Sequence, residues 1–92
     1  MFFNQYFEKL FKQLEQNIPH DELVKFSDMD YRNISQCHFG LGLYIRNEFL
    51  TEDSELYNFF IRCGVMGKDD MSSILVRNFY LYENEKKFIS NL

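Results

Sequence analysis

DDMSSILVRNFYLY, residues 69–82, settles the fold class more firmly than any other segment of the chain. Met71, Ile74, Leu75, Asn78, Phe79 and Tyr82 recur at helical spacing, which predicts one apolar face of an α-helix. The rival is a strand in which Ile74, Val76 and Tyr80 alternate. But the 92 residues hold only three Val and one Thr, too few β-branched side chains for an all-β domain. Helix wins. Asp69 is expected to cap it and Asp70 to stand in its first turn, where the macrodipole favours negative charge.

Upstream, CHFGLGLYIRNEFL, residues 37–50, predicts a second helix from a cap at Asn33 or Ser35 to about Phe49. Cys37, Leu41, Tyr44, Ile45 and Phe49 form its apolar side. Gly40 and Gly42 interrupt its opening turns at a cost of roughly 1 kcal/mol each against Ala. They read as a site of close packing against the first helix, or else as backbone kept open for a ligand or partner. Between these stretches, Asp53 or Ser54 caps a helix through Cys63, with Leu56, Phe59, Phe60 and Cys63 facing inward. Gly64 stands at its C′ position.

The chain starts with a strong helix, Phe2 to Gln16, in which Phe3, Phe7, Leu10, Phe11 and Leu14 form one stripe. Asn17 and Pro19 end it. The next segment, HDELVKFSDMDYRN, residues 20–33, reads as a short helical turn at best, with Ser27 and Asp28 as a stop. The tail Glu83–Leu92 extends the last helix or frays. The expectation is an all-α fold, one domain over residues 1–92 with four or five packed helices.

Eleven Phe and ten Leu, with no Trp and no Ala, mean that large rings fill the interior and that close helix contacts use Gly, Ser or Cys. Eight Asn beside many Phe, Ile, Tyr and Lys suit an AT-rich gene. The net charge of −4 repels phosphate backbones, which argues against nucleic acid and suits a basic partner. The N-terminal segment carries Glu8, Lys9 and Lys12 and reads neither as a signal peptide nor as a membrane span. Two cysteines, Cys37 and Cys63, without a CxxC, read as buried free thiols of a cytoplasmic protein.

No catalytic or cofactor constellation stands out. Cys37 and His38 are adjacent, yet helical neighbours point about 100° apart and no acid accompanies them. His20, Asp21 and Glu22 are contiguous and cannot close on one metal ion. Asp69-Asp70 and Glu52-Asp53 are explained by helix starts rather than acid–base work. Gly64-x-x-Gly67-Lys68 lacks the full phosphate-loop frame. Arg46-Asn47 and Arg77-Asn78 lie between apolar residues, and such an Arg either bridges a helix-start acid such as Asp70 or Asp53, which is the expectation, or reaches outward to a partner.

His38–Asn47 reads H-F-G-L-G-x-x-I-R-N, Leu56–Gly64 is a short helix ending in Gly, and Asp69–Leu75 reads D-D-M-S-x-I-L. In that order and spacing, from Gln36 to Tyr82, the chain resembles a family of small bacterial proteins. It has Glu48-Phe49-Leu50 where members often have Trp, and Lys68 where they tend to have Pro. Some proteins that look like this are encoded beside toxins of contact-dependent growth inhibition, as the immunity protein. The resemblance implies a non-enzymatic cytoplasmic inhibitor of one toxin nuclease domain, such as an RNase. On that reading the partner surface consists of acids beside aromatic anchors. One set is Asp21, Glu22, Asp28 and Asp30 with Tyr31; the other is Glu52, Asp53 and Glu55 with Tyr57. The alternatives are an adaptor or regulator with another protein partner, or a small enzyme or ligand-binding protein built on His38, Arg46 and Asp70.

Overall fold

The computed structural model describes residues 4–90, and these form five α-helices and one 3₁₀ segment with no strand. The all-α expectation holds. Phe2 and Phe3, expected in the first helix, and Asn91 and Leu92 of the tail lie outside the described residues.

Helix α1 spans Gln5–Asn17, and the Asn4 side chain caps it by accepting from the Phe7 amide at 2.9 Å. Phe7, Leu10, Phe11 and Leu14 are its buried stripe, as the spacing predicts. Pro19 does end it. The segment after Pro19 is more than a turn: α2 is a nine-residue helix, His20–Asp28. Asp21 and Glu22 cannot pack, but at a helix N-terminus they oppose the positive end of the macrodipole. Ser27 is buried in the last turn of α2, its hydroxyl donating to the Val24 carbonyl at 3.1 Å, and the helix ends at Asp28, where the stop was expected.

The single helix expected up to Phe49 is two elements. Asp30, not Asn33 or Ser35, caps a 3₁₀ segment, Tyr31–His38, by accepting from the Arg32 amide at 2.9 Å. Phe39 and Gly40 then turn the chain, and α3 runs Leu41–Phe49. Gly40 has ψ −92°, off the helical path, so the glycine restarts the helix instead of weakening it. Helix α4 is Glu55–Arg62, with Ser54 as its cap, accepting from the Tyr57 amide at 3.0 Å. Gly64 ends it at φ 87°, as expected, and the Val65 amide reaches back to the Phe60 carbonyl at 2.9 Å. Cys63, expected inward, is exposed, and Cys37 is only half-buried.

Helix α5, Lys68–Ser90, is the spine of the molecule. It begins one residue before Asp69, which therefore sits in its first turn and does not cap it. It packs against α3, the 3₁₀ segment, α2 and α1, while α1 also packs against α4. Met71, Leu75, Val76 and Phe79 of α5 are buried with Phe11, Leu14, Ile45 and Leu50. Phe79 lies between rings from two other helices, 5.3 Å from Phe11 and 5.4 Å from Phe26 between centroids. In a chain without alanine, α3 and α5 meet through Gly42 and Ser72. A Cβ on Gly42 would lie 3.9 Å from Ser72 Oγ and 3.3 Å from the Cys37 carbonyl oxygen. The close approach is real, but it is to the Cys37 carbonyl of the 3₁₀ segment, with Ser72 of α5 at ordinary contact distance, and not to α1.

Candidate functional site

The acids of α2 and its C-terminal flank are largely engaged by the chain's own cations. Glu22 pairs with Lys25 at 3.4 Å, and Asp28 with Lys87 near the end of α5. Asp30 takes a fork of bonds from Arg32, with Nη2 to Oδ2 at 2.8 Å and Nε to Oδ1 at 3.2 Å. That guanidinium, with the Arg32 amide, holds the Asp30 carboxyl below its ordinary value. Asp21 is exposed. Tyr31 is half-exposed, its ring 5.6 Å from that of Tyr80, whose hydroxyl donates to the Met29 carbonyl at 2.6 Å.

The α3–α4 corner differs. Residues 47–61 contain Glu48, Glu52, Asp53 and Glu55 and no Lys or Arg. Glu48, Glu52 and Glu55 are exposed, and their carboxylates meet no basic side chain among the described residues. Among the described residues Asp53 accepts only from the Thr51 hydroxyl, at 2.8 Å. Glu48 and Glu55 share a recess of about 240 Å³ whose far wall carries Tyr6 and Lys9. The aromatic expected to anchor this corner is partly occupied, because the Lys68 ammonium stands 5.7 Å from the centre of the Tyr57 ring.

A third cluster joins α3 to the start of α5. The Arg46 side chain, 11% exposed, crosses between the two helices. Its Nη1 donates to Ser72 Oγ at 2.7 Å, its Nη2 to the His38 carbonyl at 3.1 Å, and its Nε lies 3.5 Å from Asp69. The expected ion pair forms, but with Asp69 in place of Asp70 or Asp53. On a helix, residues 69 and 72 share a face toward α3 and residue 70 turns away from it. Nη1 also lies 3.5 Å from His38 Nδ1. A guanidinium only donates, so the Nδ1 lone pair is the part of the ring that this contact can use.

Beside this network is a cleft of about 310 Å³ lined by the 3₁₀ segment, Gly42 of α3 and one side of α5. Of the trio His38, Arg46 and Asp70, the first two come together here and Asp70 does not join them. Ser35, Ser72, Ser73 and Arg77 complete the lining; the sequence marked Arg77 as an ion-pair candidate and Ser35 only as a cap, and neither Ser72 nor Ser73. The spacing of Asp69 and Ser72 was the one signal available, since a serine three residues after a helix-start acid returns to its face. Burial pushes the Cys37 thiol up, away from the thiolate a nucleophile needs. No group of three or more His, Cys, Asp or Glu that could hold a metal ion occurs among the described residues.

The last titratable cluster lies where α5 passes α1 and α2. The Glu83 side chain is 10% exposed, and its Oε2 has no hydrogen-bond partner among the described residues. Lys86, 3.8 Å from that oxygen, pairs more closely with Glu15. Burial first, and then the Glu15 carboxylate beside it, push the Glu83 carboxyl up to about 7, against the opposing pull of Lys86.

Residues 5–82 match the family described as Domain of unknown function (DUF6794), and the chain belongs to that family. The match ends before the turns of α5 that carry Glu83, Lys86 and Lys87. No curated protein and no solved structure matches the chain. No helix among the described residues is long and apolar enough to cross a membrane.

Proposed function

For this member of the DUF6794 family we propose a binding role without catalysis of its own: a cytoplasmic domain that receives a basic protein on the α3–α4 corner. One observation carries the reading. Among the described residues the carboxylates of Glu48, Glu52 and Glu55 at this corner form no ion pair, Lys9 across the recess included, whereas the acids of α2 mostly have one. Charges left without internal partners set up a field that steers a basic partner and selects its orientation. Asp53 extends the patch, and the half-buried Tyr57 beside it supplies apolar area once the Lys68 ammonium yields its ring. A nuclease gathers phosphates with Lys, Arg and His, so its groove has the complementary sign. The partner proposed, in line with the resemblance of residues 36–82, is the toxin nuclease domain of a contact-dependent growth inhibition system, with this chain as the immunity protein.

The test is co-expression with the C-terminal domain of a large reading frame encoded next to this gene. Restored growth and a co-purifying complex are expected, together with no turnover of nucleic acid or generic ester substrates. Absence of both binding and protection sinks the proposal. So does turnover that disappears on His38→Ala.

A further inference from the structure

The cleft between the 3₁₀ segment, α3 and α5 differs in chemistry from the rest of this acidic protein. We propose that it binds a small molecule with an oxyanionic head, phosphate or carboxylate, and an apolar body. The cleft shares no lining residue with the acidic corner, so the inference stands or falls separately from the protein partner.

The polar groups that face the space are of one kind. In a chain with 14 acids, no carboxylate lines this cleft. Its polar lining is made of donors. Arg77 presents a guanidinium with no internal partner among the described residues, and Ser35 and Ser73 present hydroxyls in the same condition. His38 lines the space as well, with its Nδ1 3.5 Å from Arg46 Nη1. Ser72, by contrast, is already used: its hydroxyl donates to the Asp69 carbonyl at 3.0 Å and accepts from Arg46. Arg46 is therefore a positioning residue, fixing Ser72 and the His38 ring from behind. Gly42 makes this possible, since a Cβ there would come within 3.2 Å of the Arg46 Nη1.

A lining in which a guanidinium stands beside hydroxyls that can donate, with no carboxylate, matches an anionic group. A phosphate or carboxylate offers several lone pairs to the Arg77 fork, and charge-assisted bonds of this kind are about twice as strong as neutral ones. The rest of the lining is apolar. Ile34 and Val76 form the wall, and Phe39, 81% exposed at the turn between the 3₁₀ segment and α3, stands at the rim. A ring left that open has a large apolar face to place on a ligand body. A volume of about 310 Å³ is at the lower end for small-molecule sites and suits one ring with its acidic group.

The experiment titrates the ¹⁵N-labelled protein with inorganic phosphate, phenyl phosphate, benzoate, benzyl alcohol and benzylamine, monitoring amide shifts. Saturable shifts at His38, Ser73 and Arg77 with phenyl phosphate or benzoate are expected, about tenfold tighter than with benzyl alcohol. Which of the two binds better identifies the head. Arg77→Gln, at an exposed position, should weaken binding about tenfold without changing the melting temperature. Phe39→Ala should weaken phenyl phosphate and leave inorganic phosphate unchanged. Equal binding of benzylamine, no saturable shift with either anion, or an Arg77→Gln variant that binds as the parent would overturn the proposal. An unchanged preference for phenyl phosphate over phosphate in Phe39→Ala would remove Phe39 from it, and a parent that binds the two equally would remove the apolar body.

Discussion

Asp21, Glu22, Asp28 and Asp30 around α2, and Glu48, Glu52, Asp53 and Glu55 around the α3–α4 corner, contribute four negative charges each. In the folded molecule three of the first four face a cation of the same chain, Lys25, Lys87 or Arg32. None of the second four does so among the described residues. Counting acids along a sequence therefore overstates the field at α2 and understates the difference between the two regions. A carboxylate with its own cation helps hold the fold in register, while one without is available to an outside partner.

The largest effect should come from reversing the corner. Glu52→Lys, Asp53→Lys and Glu55→Lys together are expected to slow association with a basic partner about tenfold or more at low salt. The melting curve should stay close to the parent's, because exposed charges contribute little to stability. Stopped-flow rates at several salt concentrations check this, and the salt dependence should flatten in the variant. Reversing Asp21 and Glu22 instead should leave the rate nearly unchanged. If it slows association as much as the corner does, the contrast between the regions is wrong.

The α2 side should show itself through pH rather than binding. Glu83, beside Glu15 and Lys86, has a folded pKa of about 7 against an ordinary 4.5. Between those values the folded state binds more protons than the unfolded one, so stability falls as pH rises through that window. The expected loss is on the order of 1–2 kcal/mol, with partial solvent access discounted. Denaturant melts from pH 4.5 to 8 measure it, and Glu83→Gln should flatten the slope. A parent whose stability rises across that range would contradict the placement of Glu83.

Asp30 tests the same side with the opposite sign. Its folded pKa is lowered, so the stability it contributes is present above its ordinary value of 3.8 and lost as pH falls. Asp30→Ala removes both the cap of the 3₁₀ segment and the Arg32 fork, and should lower the melting temperature by a few degrees at neutral pH. The difference should shrink in acid. Smallest of all, Glu22→Gln breaks only an exposed pair with Lys25 and should cost less than about 0.5 kcal/mol. A larger loss there would mean that the α2 pairs are worth more than surface pairs usually are.

Much of the fold was legible because helices declare themselves locally. The stripes of α1 and α5, the Ser54 cap and the left-handed Gly64 all depend on residues within about one turn of each other. Two local readings failed for a physical reason. Acids at residues 21 and 22 suggested no more than a short helical turn but complement the start of a full helix. Gly40 looked like a weak point inside a helix but is the turn between two. Less of the candidate sites was legible. The acidic corner could be named from residues 52–57, yet its distinction from α2 rests on Lys87, which reaches Asp28 from 59 positions away. The cleft needed Arg46 to find Ser72 across 26 positions.

The helical class, most of the helix ends and the composition of the core were thus written in the sequence, because periodicity, caps and ring size act over a few residues. Tertiary structure alone settled that Lys87 takes Asp28, which acid answers Arg46, and that Gly42 lies against the 3₁₀ segment and α5 rather than α1. Those outcomes depend on side chains brought together from separate helices. Their pairing comes from how the large rings around Phe79 set the helices against one another.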